Sequence, residues 1–292
     1  MKHPETRDTI HLEEATILKH ETFSGDQYLL RLRAPEIALL ALAGSFVHLR
    51  CDASLPMRRP MSIMRTDQKQ GWIDILYKAQ GEGTRLLSNQ QVGSQLSLIG
   101  PIGNPFKQNN YKKRPLLIGG GVGIPPMVFL CEHIRKTAKS VSPFVIMGSE
   151  VPFPFKPQPS QIMVSGIPDG VIAAMPLLED WGIANRLSSL QGYPGCFDGY
   201  VTDLARAWLD SMHIKEHENI EIFSCGPTPM LRAVARLAAE YKLACQVSLE
   251  EYMACAVGGC AGCTVLVETA SGPAMKRVCV DGPVFEASSV FA

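Results

Sequence analysis

The sequence has no excess of either charge, since 28 Lys and Arg balance 28 Asp and Glu. No overall field draws the molecule to nucleic acid or to an anionic membrane, and binding to either would need a local patch. A long apolar run is also missing. The uncharged, mostly apolar stretch Pro115 to Cys131 is broken by Gly119, Gly120, Gly121, Gly123, Pro125 and Pro126, whereas a spanning helix needs about 20 apolar residues. The opening MKHPETRDTIHLEE carries acids and no apolar core, so a cytoplasmic protein without a secretory signal is expected. No internal repeat or low-complexity tract is visible.

What is present is 292 residues, 46% hydrophobic and 19% charged. That is the balance of a globular protein with about two domains and room for a small appendage. In the first hundred residues, short runs at Thr16 to His20, Gln27 to Arg33, Ser45 to Cys51, Gly71 to Lys78 and Ser94 to Ile99 read as strands of an antiparallel sandwich or barrel. Gly83 to Ser88 reads as a short helix capped by Thr84. Beyond the polar stretch Lys107 to Arg114 the rhythm becomes strand, glycine loop, helix. Pro115 to Ile118, Ser142 to Met147, Gln161 to Ser165 and Asn219 to Ser224 are the expected strands. Pro126 to Lys139, Ala173 to Ser188, Val201 to Met212 and a helix N-capped by Thr228 are the expected helices. This alternation is that of a parallel sheet covered on both faces. Three units are expected: an antiparallel β-barrel over 8–108, an α/β domain over 115–246 and a small cysteine-rich domain over 247–292.

The nine cysteines are an odd number, and three of them fall in Cys255-Ala-Val-Gly-Gly-Cys260-Ala-Gly-Cys263, with Cys279 following. The C-x4-C-x2-C spacing with a later fourth cysteine is the plant-type [2Fe-2S] pattern. Glycine and alanine between the ligands let the loop turn tightly and aim N–H groups at sulfide. A four-cysteine zinc site is the alternative, though zinc sites usually pair one C-x2-C with another. Cys51, Cys131, Cys196 and Cys245 are expected to be small buried hydrophobes.

Two further turns point to a ligand. Gly119-Gly120-Gly121-Val-Gly123 lies between a strand and a helix, where backbone N–H groups suit a pyrophosphate. The strict G-x-G-x-x-G fingerprint is absent, so a glycine-rich packing turn is the competing explanation. Cys225-Gly226-Pro227 closes the strand Asn219 to Ser224 at the same carboxyl edge, with Cys225 either a buried thiol or a polarizable contact for a nicotinamide. In the front segment, Arg58-Arg59-Pro60-Met61-Ser62 joins a phosphate-clamping guanidinium to a hydroxyl able to bond a flavin ring. On its own such an Arg-Pro pair is also common in surface loops.

In order, Arg-Pro-x-Ser, GGGVGIPP, CGPTPM and the four cysteines resemble the electron-transfer subunit of the dihydroorotate dehydrogenase B family, among the ferredoxin-reductase-like flavoproteins. Ser-Leu-Glu-Glu-Tyr-Met-Ala-Cys255 and Val-Cys279-Val-Asp-Gly-Pro-Val-Phe are the most specific parts of that resemblance. It implies that Arg59, Pro60, Met61 and Ser62 hold FAD, with Leu76, Tyr77 and Lys78 lining it and Gly83 and Thr84 at its pyrophosphate. It implies that Gly119, Gly120, Gly121, Gly123, Cys225, Gly226 and Pro227 receive NAD(H), and that Cys255, Cys260, Cys263 and Cys279 ligate [2Fe-2S]. Ser62 and Cys225 are then the residues nearest the reacting rings. The implied activity is an NAD-linked oxidoreductase relay through FAD and the cluster, in a hetero-oligomer with an FMN-containing dihydroorotate dehydrogenase subunit of pyrimidine biosynthesis.

Gly44-Ser45-Phe46 replaces the family's Gly-Gln-Phe, and Gln191 to Gly199 replaces its usual Asp-Gly-Ser-x-Gly stretch. The second departure concerns nucleotide or partner choice. A ferredoxin reductase-like, sulfide-linked or hydrogenase-linked subunit is the nearest rival. A zinc-containing nucleotide-binding regulator is a rival of another class.

Overall fold

The computed structural model describes residues 9–291. Asp8 and Ala292, which bound the first and last expected units, lie outside them. In chain order the elements begin with β1 (His11–Phe23), β2 (Gln27–Arg33), α1 (Pro35–Leu40), β3 (Phe46–Leu49), β4 (Arg59–Asp67), β5 (Trp72–Lys78), α2 (Glu82–Ser88) and β6 (Gln95–Ile102). There follow β7 (Leu116–Gly120), α3 (Ile124–Thr137), β8 (Phe144–Gly148), β9 (Gln158–Pro159), β10 (Ala173–Ala174), α4 (Pro176–Asp180), β11 (Ala184–Ser188) and α5 (Val201–Asp210). The chain ends with β12 (Ile222–Cys225), α6 (Thr228–Glu240), β13 (Cys245–Ser248), β14 (Thr264–Thr269), β15 (Gly272–Arg277), β16 (Val284–Glu286) and α7 (Ala287–Val290).

Two compact units form. One runs to Phe106 and takes in Ser248–Phe285, so the cysteine-rich segment folds in one body with the barrel; the other is Lys107–Val247 with the residues after Phe285. In the first, six strands close in the order β1-β2-β5-β4-β3-β6. Alternating side chains drive this closure. Ile17, Leu30, Leu32, Leu49, Ile63, Ile73 and Ile75 are wholly buried, each contributing about 1.5–3 kcal/mol by leaving water. Closure also removes the unpaired edges of an open sheet. The cysteine-rich segment adds an antiparallel hairpin, β14 with β15, in the register Leu266↔Met275 and Val267↔Ala274.

In the second unit the strands run β11-β8-β7-β12-β13, with β11, β8, β7 and β12 parallel. The chain moves outward from β7 to β8 and β11, then returns to place β12 on the other side of β7. The carboxyl ends of β7 and β12 are therefore the point where strand order reverses, which is where open α/β sheets bind ligands. α3 is buried on nearly all sides from Ile124 to Glu132. α6 is one-sided, burying Leu231, Val234, Leu237 and Ala238. Among the described residues no helix is long and apolar enough to cross a membrane.

Several local expectations need correction. Ala173 to Ser188 is not one helix: Gly182, at φ 72°, breaks the chain after α4, and Ala184–Ser188 pairs with β8 as a strand. Gln161 to Ser165 forms no strand; the short pairing is instead β9 with β10. Thr228 is the first residue of α6 rather than its N-cap, which is Pro227. Thr84 sits one turn inside α2, where its hydroxyl accepts from the N–H groups of Gln80 and Gly81, so it closes the helix start from within. Cys196 is half-buried, whereas Cys51, Cys131 and Cys245 are buried as expected.

Candidate cofactor and cluster sites

In the barrel unit, β4 carries Arg59, Pro60, Met61 and Ser62 between β3 and β5, with Arg59↔Leu49, Pro60↔His48, Met61↔Val47 and Ser62↔Phe46 opposite on β3. Arg59, Pro60 and Ser62 are half-buried and Met61 is buried. Among the described residues the Arg59 guanidinium donates only to the carbonyls of Met57 and Arg58, both at 3.1 Å. Among the described residues no carboxylate pairs with it, and Ser62 Oγ has no hydrogen-bond partner. The guanidinium lies against Gly83, where a Cβ would stand 3.3 Å from Arg59 Nε. A charge without a counter-ion beside a glycine fits a phosphate, which Arg clamps with charge-assisted bonds. Gly83, at the start of α2, is thus brought to Arg59.

Leu76, Tyr77 and Lys78 follow on β5. Leu76 and Tyr77 are 6% and 2% exposed. Tyr77 stacks on Tyr28 with ring centroids 5.2 Å apart, and its hydroxyl meets His20 Nε2 at 2.8 Å. Burial holds the Tyr77 phenol far above its ordinary range. Its ring is engaged in the barrel's own packing, and Lys78 is the half-exposed member of the three.

In the α/β unit, Cys225 pairs with Gly119 and Ser224 with Ile118, and Ser224 Oγ donates to the Ile118 carbonyl at 2.9 Å. The two turns therefore leave the sheet side by side. Their contact explains two of the glycines. A Cβ on Gly123 would lie 2.2 Å from the Cys225 carbonyl oxygen, and one on Gly120 would lie 2.4 Å from Met230 Sδ. Gly121 is different: its φ is 55° and nothing lies within 4 Å of its Cβ position. That gap is where a ligand can approach the backbone. The start of α3 offers fewer donors than its position suggests, because Pro125 and Pro126 have no N–H and Ile124 N–H is bonded to the Gly121 carbonyl. Cys225 is 1% exposed, so its thiol is buried. Met230, at the start of α6, also packs over Gly226.

The unusual stretch Gln191 to Gly199 folds back on β11. Phe197 N–H donates to the Leu187 carbonyl, Ser189 N–H to the Phe197 carbonyl, and Ser188 Oγ to the Gly199 carbonyl. Glu150, just beyond β8, is exposed.

Two contacts tie the four cysteines together two by two, one through a backbone N–H and one between sulfurs. Cys260 N–H donates to Cys255 Sγ at 3.4 Å, and Cys263 Sγ lies 3.3 Å from Cys279 Sγ. Among the described residues no three Cys, His, Asp or Glu side chains already crowd one point. Two thiolates per metal is the donor set of a two-iron cluster, and sulfurs sharing one tetrahedral ion at about 2.3 Å stand roughly 3.8 Å apart. The loop reaches this arrangement through left-handed residues at Ala256, Gly258 and Ala261, with φ of 58°, 81° and 54°. Bulky side chains would resist that path. Burial works against the Cys255 thiolate, but the N–H groups of Cys260, Val257 and Gly259 aimed at its sulfur outweigh it and hold the thiol down at about 7. Cys279 is pushed up to about 12 by burial and by Cys263. Ligation needs thiolates, and the N–H groups around Cys255 favour that form. The residues fit an iron-sulfur cluster.

Barrel, parallel-sheet domain and cysteine loop together define a ferredoxin-reductase-like electron-transfer flavoprotein, an oxidoreductase. Residues 12–106 match the model of an oxidoreductase FAD-binding domain, and residues 250–291 match the iron-sulfur cluster binding domain of dihydroorotate dehydrogenase B. The electron transfer subunit of NAD(+) dihydroorotate dehydrogenase B from Shouchella clausii is 31% identical over 94% of this chain and 96% of its own length. That of Geobacillus kaustophilus is 31% identical over 95% and 98%. The chain belongs to the family of dihydroorotate dehydrogenase B electron transfer subunits. In fold it is similar to a solved NADH-dependent reduced ferredoxin-NADP oxidoreductase, with a TM-score of 0.77 and 24% identity over 95% of this chain and 90% of that one. A ferredoxin reductase of carbazole 1,9a-dioxygenase follows at a TM-score of 0.61 and 19% identity, covering 80% and 67%.

Proposed function

We propose that this chain relays electrons between NAD(H), FAD and a [2Fe-2S] cluster, and exchanges them with an FMN-containing dihydroorotate dehydrogenase subunit in pyrimidine biosynthesis. The observation that carries this is the approach of Cys263 Sγ to Cys279 Sγ, with the Cys260 N–H donating to Cys255 Sγ, inside the segment that matches the iron-sulfur domain of that family. When bound, FAD supplies two-electron exchange with the nicotinamide and one-electron exchange with the cluster, which serves a distant partner.

The chain's own residues position these groups. Arg59 clamps the FAD pyrophosphate beside Gly83 and Thr84; Pro60 keeps β4 extended, and Ser62 directs its hydroxyl to the flavin ring. Met61, Leu76, Tyr77 and Lys78 form the wall, with Tyr77 stiffening it through Tyr28 and His20. Gly121 gives the nucleotide diphosphate close access to the backbone. Gly119, Gly120 and Gly123 keep the two turns together, and Cys225, Gly226 and Pro227 bound the nicotinamide side. NAD is the expected nucleotide, as in the names of the relatives, and the exposed Glu150 suits a ribose hydroxyl better than a 2′-phosphate.

The experiment is reconstitution with an FMN-containing dihydroorotate dehydrogenase subunit. Dihydroorotate-dependent NAD⁺ reduction that needs both chains is the expected result. A stable, cofactor-loaded chain that never couples to such a subunit, yet reduces a ferredoxin rapidly, would overturn the partner assignment in favour of the ferredoxin-linked rival.

A further inference from the structure

Arg277 closes β15 and stands two residues before Cys279. Its backbone shapes the turn that carries this ligand: the Arg277 carbonyl accepts from the N–H groups of Val280 and Asp281 at 3.1 and 2.7 Å. Arg277 N–H donates to Asp281 Oδ2 at 2.7 Å, and the guanidinium Nε lies 3.6 Å from the same oxygen. The side chain then reaches across to the other ligand segment, where Nη1 donates to the Gly258 carbonyl at 3.0 Å.

That carbonyl belongs to the peptide joining Gly258 and Gly259. In a planar trans peptide the C=O and N–H point in opposite directions. Holding the oxygen therefore turns the Gly259 N–H away from Arg277 and towards Cys255 Sγ, where it is found. The N–H of Gly258 itself faces Cys279 Sγ. Gly258 adopts φ 81°, so no side chain competes for this orientation. One guanidinium thus holds the peptide whose N–H is directed at Cys255, at the same Gly258 whose own N–H faces Cys279.

We propose that Arg277, braced by Asp281, is a positioning residue that fixes the two halves of the cluster loop against each other and aims backbone N–H groups at Cys255 and Cys279. The inference rests on the iron-sulfur assignment above. Donors to the sulfurs favour the more negative, reduced cluster and so raise its potential. Losing the clamp should both loosen the loop and lower the potential. Lys276 supplies a control. Successive strand side chains point to opposite faces, so the neighbouring Lys276 carries the same charge without the contact to Gly258.

The test uses the full-length holoprotein and the variants Arg277→Gln, Lys276→Gln and Asp281→Asn. Far-UV circular dichroism and FAD content report the fold. Iron and sulfide content, the half-life of the cluster against a chelator, its midpoint potential and the electron paramagnetic resonance of its reduced form report the clamp. Arg277→Gln is expected to lose iron about tenfold faster, as for one charge-assisted hydrogen bond, with a lower potential and an altered resonance. Lys276→Gln is expected to match the parent. If Arg277→Gln assembles no cluster while keeping FAD, Asp281→Asn, which slackens the guanidinium without removing it, should show the same signs more weakly. Parent-like half-life and potential in both Arg277→Gln and Asp281→Asn would overturn the inference, as would equal shifts in Lys276→Gln. A parent protein without iron and sulfide would overturn the cluster assignment itself, a separate result.

Discussion

Gly123→Ala tests whether the two turns at the carboxyl edge of the sheet form one site. The added Cβ would lie 2.2 Å from the Cys225 carbonyl oxygen, 2.3 Å from its carbon and 2.5 Å from Gly226 N. All three are backbone atoms, so no flexible side chain can yield. Ordinary contact requires the turns to part by roughly 1 Å, and overpacking of this kind costs about 1–3 kcal/mol or more. For a unit of this size each kcal/mol lowers the Tm by roughly 2–4 °C, which calorimetry resolves. Moving Cys225 and Gly226 should also weaken NADH, measured by titration of the holoprotein. Gly121→Ala is the comparison. Its Cβ meets nothing within 4 Å, and only its φ of 55° resists, at about 1–2 kcal/mol. It should therefore affect nucleotide binding more than packing. A Gly123→Ala protein with the parent Tm and the parent NADH affinity would refute the idea that these turns are held in contact.

Three further outcomes are expected. Cys260→Ser should remove the cluster and leave FAD bound, since none of the residues assigned to FAD lies in the cysteine loop; a full iron-sulfur spectrum in this variant would refute the ligand set. Arg59→Ala should weaken FAD by about 1.5–3 kcal/mol, read as faster flavin loss on gel filtration, and unchanged retention would remove Arg59 from the site. His48 is 1% exposed, and burial depresses it from 6.5 to about 4. The unfolded chain takes up a proton in that window that the fold refuses. The stability associated with neutral His48 is therefore full above about pH 6.5 and falls by up to about 3 kcal/mol as pH drops to 4. His48→Phe should flatten the Tm difference between pH 7 and pH 5, and an unchanged slope would contradict the burial argument.

The cysteine loop was legible because its chemistry is local: spacing and small intervening residues suffice to specify it. Five of the six barrel strands and the one-sided α6 were legible as apolar or periodic runs, whereas β4, over Arg59–Asp67, was not among the expected strands. Where burial comes from outside the element, the signal disappears. Ala184–Ser188 looks helical in sequence, yet pairing with β8 makes it a strand. The hairpin of β14 and β15 was hidden because Leu266 and Met275 face solvent at 57% and 62% exposure, which erases the alternation a strand normally shows. The tie from Arg277 to Gly258 spans 19 residues, and no spacing rule announces it. The glycines of the α/β turn matched a ligand pattern in sequence, but at positions 120 and 123 close approach to Met230 and Cys225 already demands them.

The relay itself is tested most directly by the visible absorption spectrum of the purified protein, recorded without oxygen before and after NADH is added. Flavin and iron-sulfur bands that bleach together are the expected result. A colourless protein carrying zinc, or flavin bands that bleach while iron and sulfide are absent, would contradict it.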